Sequence, residues 1–253
     1  MRAFYTLSIL PLISSVFVYA NIVSAEASTQ YLSAYTNQVL DKKLSTLLGP
    51  QAKFEITQFN NTFDRIKIDN QILLASKDGQ YLFWGKVIDT SSRADLIELA
   101  NQQHRQALVA SIPREKLLTY TAKKEQHKLT IFTDIDCPFC RKLHTQIKDL
   151  NQQGVTVDYV MLPRGKAGSV AFIKTVNALC AANPQAAMDS AMHNGNVESS
   201  TQANQTCVNN LKAQQALAQT FGFSATPTIL FANGEIVPGL MTIKEILNKL
   251  NTL

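Results

Sequence analysis

Four cysteines occur in the chain, and two of them, Cys137 and Cys140, are separated only by Pro138 and Phe139. The apolar, strand-like run through Phe132-Thr133-Asp134 ends just before them, and Arg141-Lys142-Leu143-His144 continues beyond them as helix. A Cys in the first turn of a helix has its sulfur near unpaired backbone N–H groups and the positive end of the macrodipole. Both favour thiolate over thiol. Pro138 suits that turn, where a missing N–H costs nothing and the fixed φ is already helical. Cys140, three residues on, shares a helical face with Cys137 and can reach its sulfur, so the pair can cycle between dithiol and disulfide. The chemistry expected is thiol–disulfide exchange, with Cys137 attacking and Cys140 resolving.

The same spacing is half of many zinc sites, which need a second ligand pair. Cys180 and Cys207 are far apart in sequence and have no His-x-His or His-x-x-x-His beside them. No metal site is expected. His144, one turn past Cys140, reads as a solvent-facing helical His.

The N-terminus indicates the compartment. Arg2 precedes an apolar stretch from Ala3 to Ala20, then Val23-Ser24-Ala25, which fits the small-x-small rule for signal-peptide cleavage. The stretch approaches the roughly 18 residues of a spanning helix. Pro11 and the small residues at its end favour cleavage over retention as an anchor, and place the mature start at Glu26. Export into an oxidising compartment is where a reactive Cys-x-x-Cys forms, reduces or reshuffles disulfides in other proteins.

Net charge falls from +5 to +4 when Arg2 leaves. The excess is spread along the chain without a Lys/Arg block or an aromatic-basic stripe, so nucleic-acid binding is not expected. The mature chain is long enough for one large or two modest domains with real cores.

Two regions must position the cysteines. Residues 29–48 predict an amphipathic helix through Tyr31, Leu32, Tyr35, Val39 and Leu40, ended by Gly49-Pro50. The period then becomes strand-like at Phe54 and Ile56, at Phe63, Ile66 and Ile68, at Ile72 to Ala75, and at Tyr81 to Trp84. Lys77-Asp78-Gly79-Gln80 forms a hairpin turn among them. From Arg93 to about Leu118 the pattern is a polar helix broken at Pro113, read as a connector. The second region predicts a strand at 129–132, a helix at 137–150 and a strand at 156–162, an order that implies parallel pairing. A largely helical stretch to Gly222 follows Pro163-Arg164-Gly165. Strands at 228–231 and 235–237 around Asn233-Gly234, then a helix at 243–250, complete a thioredoxin-like order.

Over essentially its whole mature length the chain resembles the periplasmic disulfide isomerase family of DsbC and its relative DsbG. The residues carrying the resemblance are Phe132-Thr133-Asp134, Cys137-Pro138-Phe139-Cys140, Leu143-His144, Leu162-Pro163-Arg164, Ala225-Thr226-Pro227, and Asn233-Gly234 followed by Val237-Pro238-Gly239. Asp78-Gly79 and Gly85 with Asp89 echo the family's N-terminal module. The resemblance implies an α+β N-terminal cystatin-like dimerisation module, a linker helix, and an α/β thioredoxin-like domain with a helical insert. The corresponding division is a signal peptide at 1–25, the dimerisation domain at 26–90, the linker at 91–126 and the catalytic domain at 127–253, with the insert at about 165–222.

Further expectations come from the same resemblance. The partners are a second copy of the chain, in a V-shaped homodimer, misfolded disulfide-containing exported proteins, and a membrane reductase of the DsbD type. Thr226-Pro227 is similar to the family's cis-proline, substrate-binding loop. Four cysteines allow three connectivities, and the resemblance pairs Cys180 with Cys207 as a structural disulfide. No cofactor is implied. The dipeptide Pro138-Phe139 departs from the Gly-Tyr of DsbC toward the Pro-Tyr of DsbG. That leaves open a holdase chaperone or a DsbG-like reductase of sulfenylated single-cysteine proteins beside the isomerase. A DsbA-like oxidase is weakened by the N-terminal module.

Overall fold

The computed structural model describes residues 35–197, 204–223 and 225–253. The expected signal peptide, and Tyr31 and Leu32 of the first predicted helix, lie outside the described residues.

Helix α1 (Gln38–Leu48) is capped by Asn37, whose side chain accepts from the Leu40 N–H, and it stops at Gly49. Strands β1 (Phe54–Gln58), β2 (Phe63–Ile68), β3 (Gln71–Ser76) and β4 (Leu82–Phe83) form an antiparallel sheet in chain order. Phe54 lies opposite Ile68, and Phe63 opposite Ser76. The β3–β4 turn needs Gly79 at φ +66°, which a side chain adopts only at a cost. Alternation in β3 divides its side chains between two layers. Leu73 and Ala75 join Ile66 against Leu40 and Leu44 of α1, whereas Ile72 and Leu74 pack with Ile97 and Ala100 of α2 (Leu96–Ala110).

The helix read as a connector packs on both modules. Asp95 caps α2 by accepting from the N–H groups of Ile97 and Glu98. Farther along the helix, Leu108 and Val109 pack against a cluster containing Phe132, Val160, Ala218, Phe221 and Leu230. Arg105, buried midway, donates from Nε to the Gly234 carbonyl at 2.7 Å and pairs with Glu98 at 2.5 Å. A Cβ at Gly234 would overlap the Gln102 carbonyl oxygen, so this close approach requires glycine.

The second sheet has the order β5-β7-β6-β8-β9. Strand β6 (His127–Thr133) runs parallel to β7 (Val155–Met161) and antiparallel to β8 (Thr228–Phe231), which pairs with β9 (Ile236–Pro238). Every residue of β7 is buried. Strand β5 (Leu118–Tyr120) pairs antiparallel with β7, and it corrects the sequence reading, which ended the connector helix at Leu118. Three residues are too few for a period of two to register, and the short 3-10 turn Arg114–Lys116 before them keeps the pattern helical.

A second correction concerns the helix after the cysteines. The expected single helix is divided into α3 (Pro138–His144) and α4 (Ile147–Gln152). The Thr145 hydroxyl donates back to the Lys142 carbonyl, and the Gln146 N–H bonds three residues back to Leu143. The ladder tightens and restarts in a new direction. The insert comprises α5 (Val170–Leu179), α6 (Pro184–Asn194) and α7 (Gln205–Thr220), capped by Ser169, Asn183 and Asn204. Helix α8 (Ile243–Leu250) closes the domain with a Thr242/Glu245 capping box.

Candidate active site

The site is built where β6 ends and α3 begins. Asp134 to Asp136 turn the chain, and the Cys137 N–H returns to the Asp134 carbonyl at 3.1 Å. Cys137 is the N-cap of α3 in extended conformation (φ −89°, ψ 119°), with Pro138 next to it in the first turn. Its sulfur therefore faces the unpaired N–H groups of the helix start. Phe139, between the cysteines, is 61% exposed. The Thr226-Pro227 bond is cis, and the Cys137 thiol donates to the Thr226 carbonyl at 3.3 Å. Thus Cys137, Pro138, Phe139, Cys140, Thr226 and Pro227 form one constellation.

The two thiols differ sharply. Burial pushes the Cys137 thiol up, but the Cys140 N–H and thiol, the Thr226 side chain and the Phe139 N–H favour the anion together and leave it below its ordinary value. Cys140 is 1% exposed, and burial pushes it up to about 11 despite opposing hydrogen bonds from Thr133, Asp134 and Thr226. The arrangement favours a thiolate at 137 beside a protonated thiol at 140.

Charged groups surround the turn. Asp134, with a side chain 2% exposed, accepts from Arg164 Nε at 2.7 Å and from the Asp136 N–H at 3.0 Å. Asp136 in turn meets Arg141 at 3.3 Å and Lys174 of α5 at 3.0 Å. Cys180 and Cys207 lie in the insert, not at the site, and are joined as a disulfide with Cα atoms 6.1 Å apart. Among the described residues no group of three or more His, Cys, Asp or Glu could hold a metal ion.

The family model of the thioredoxin-like domain matches residues 114–253, which include all four cysteines and the cis-proline loop. The chain is 33% identical over 183 residues to the thiol:disulfide interchange protein DsbC of Dickeya dadantii, covering 72% of this chain and 74% of that protein. It is 32% identical over 175 residues to its counterpart in Escherichia coli, covering 69% and 71%. The chain belongs to the DsbC family. A linker-deletion mutant of Proteus mirabilis ScsC shares the fold at a TM-score of 0.52 and 18% identity, covering 62% of this chain and 88% of that one.

One residue of this DsbC-family site stands differently from its sequence reading. His144 is not solvent-facing, because its side chain is only 11% exposed. Its Nδ1 accepts from the Tyr159 hydroxyl at 2.9 Å, and its Nε2–H donates to Asp189 at 3.1 Å. The ring packs against Tyr120 and Tyr159. Burial lowers its pKa and favours this neutral tautomer. The helical spacing that turns Cys140 inward turns His144 inward as well, four residues on. What sequence reasoning lacked was Tyr120, on the unrecognised β5, and Asp189, on α6 of the insert. It also missed Asp136, Arg141 and Lys174 as a cluster, and read Asp134 and Arg164 only as marks of resemblance. An acid at a strand end before Cys-x-x-Cys was the available signal.

Proposed function

We propose that the chain is a periplasmic thiol:disulfide isomerase that rearranges or reduces wrong disulfides in exported proteins through Cys137 and Cys140. The observation that carries this reading is the asymmetry of the two thiols, since an exchange catalyst needs one thiolate to attack and one protected thiol in reserve. Membership in a family of thiol:disulfide interchange proteins supports the same reaction class.

In the proposed cycle the Cys137 thiolate attacks one sulfur of a client disulfide. A mixed disulfide forms, and the other client sulfur leaves as thiolate. When that thiolate attacks a second disulfide of the client, the different client thiolate freed there attacks the mixed disulfide and expels Cys137, so the enzyme returns reduced and the client is isomerised with no net electron transfer. When Cys140 instead loses its proton and attacks Cys137, the client leaves with both sulfurs reduced and the enzyme leaves as the 137–140 disulfide. Two electrons must then come from a membrane reductase of the DsbD type. The Thr226 carbonyl, which accepts from the Cys137 thiol, supports a role for the Thr226-Pro227 loop in offering backbone to the client.

Residues 26–90 would join two copies, 91–126 would link, and 127–253 would carry the chemistry. Exposed Tyr81, Leu82 and Trp84 around the edge strand β4 support pairing through the first module. A second arm keeps the client near the thiolate while bonds break and reform.

Trapping with Cys140→Ala in the reduced mature protein tests the reading. Mixed disulfides to multi-disulfide clients are expected. Capture confined to proteins with a single Cys would replace the isomerase with a reductase of sulfenylated proteins, the alternative suggested by Pro138-Phe139.

A further inference from the structure

Asp134 and the Leu162-Pro163-Arg164 loop have no task in the exchange cycle, yet they adjoin its nucleophile. A carboxylate as buried as that of Asp134 is costly unless paired and hydrogen-bonded. Arg164 Nε at 2.7 Å and the Asp136 N–H at 3.0 Å meet that need. The backbone carbonyl of the same residue accepts the Cys137 N–H at 3.1 Å. One residue therefore fixes both the start of the cysteine turn and the place of a guanidinium whose side chain is otherwise 58% exposed.

The other charges around Cys137 form a second group. Asp136, adjacent in sequence, is held by Arg141 from α3 and Lys174 from α5. Ala225, Thr226 and Pro227 of the cis-proline loop bring no charge, and Cys140 keeps its proton. With Asp136 already matched by two cations, the Asp134–Arg164 pair decides whether the nucleophile faces a bare buried carboxylate or a neutralised one.

We propose that Arg164 is a positioning residue for the exchange reaction: moored by Asp134, it offsets that carboxylate and holds positive charge beside Cys137, so that the nucleophile stands ready as thiolate. The attraction is reciprocal. Asp134, and behind it Cys137 and Asp136, raise the Arg164 guanidinium above its ordinary value. A guanidinium suits the task because it stays charged at any working pH and its planar fork bonds a carboxylate in a fixed direction.

The inference rests on Cys137 being the nucleophile, and its test needs no client. The Cys137 titration is followed by ultraviolet thiolate absorbance in a reduced Cys140→Ser background. R164Q is expected to raise the midpoint by about one pH unit, roughly a tenfold loss of thiolate at lower pH, the size expected of one screened charge. R164K, which keeps the charge, should recover most of that shift. Because R164Q leaves a buried carboxylate unpaired and can fail to fold, D134N is compared with D134N/R164Q. With one amide oxygen left to hold Arg164 and no carboxylate to offset, the double variant should titrate higher by a smaller step, about half a unit. Midpoints unchanged in D134N/R164Q relative to D134N would overturn the proposal, as would an unmoved R164Q that folds. An isomerase with unmoved midpoints loses only this inference, and a chain with the shift but no isomerase activity loses only the proposed function.

Discussion

At the scale of the residue, two thiols three positions apart are driven in opposite directions by their surroundings. Cys137 caps α3 and gathers hydrogen bonds that favour its anion, while Cys140 lies behind it, its pKa raised from 9.0 to about 11 by burial. The folded state thus keeps the Cys140 proton at pH values where the unfolded chain has released it. This contribution to stability is fully present below pH 9 and is lost as pH rises toward 11. The reduced wild type should lose about 2 to 3 kcal/mol more than Cys140→Ala across that window. Tyr120, also raised by burial, acts alike in both proteins, whereas Tyr159 is raised by burial first and then by the Cys140 charge, a coupling that belongs to the same difference. Denaturant titrations in pairs across that window give the difference, and equal losses would show that Cys140 titrates as an ordinary thiol. The Cys-x-x-Cys was legible in sequence because its chemistry is local. The Asp134–Arg164 pair, 30 positions apart, and the His144–Asp189 pair, 45 apart, depend on which strands and helices meet.

At the scale of the element, the period-two strands β1 to β4, the Gly79 turn and the Gly49 stop were readable because each rests on a local rule: alternation, a left-handed turn residue, a helix terminator. The division between α3 and α4 was not, since it is set by Thr145 bonding back to Lys142 and Gln146 reaching the Met241 carbonyl. Strand β5 was missed for want of length. The insert is tied by the Cys180–Cys207 disulfide, which spans 27 positions and is worth roughly 3 to 4 kcal/mol in a chain-entropy treatment. Cys180→Ala with Cys207→Ala should therefore lower the melting temperature while thiol exchange at Cys137 continues. Loss of exchange in a double variant that remains folded would mean that the disulfide takes part in turnover.

At the scale of the molecule, α2 touches both sheets, so the stretch read as a spacer is fastened at each end: Ile97 and Ala100 against β3, Arg105 to Gly234 on the β8–β9 hairpin. The proposed dimer requires a surface free of such internal contacts. Trp84, 77% exposed, and Tyr81, 62% exposed, lie beside the edge strand of the first module. Replacing both with Ser should shift the mature protein from dimer to monomer in sedimentation velocity while its thiols stay reactive. A dimer that survives the change would place the interface elsewhere. The two-module order was visible in sequence as a switch of period, but the double attachment of α2 was not, because Arg105 and Gly234 are 129 positions apart.

The central claim is that Cys137 rearranges disulfides in other proteins, and the most direct test is refolding of a scrambled multi-disulfide protein by the reduced mature enzyme, beside its Cys137→Ser variant. Recovery of native activity with the wild type and none with the variant is the predicted result. Equal recovery with both, or none with a wild type whose thiols are reactive, would contradict the account.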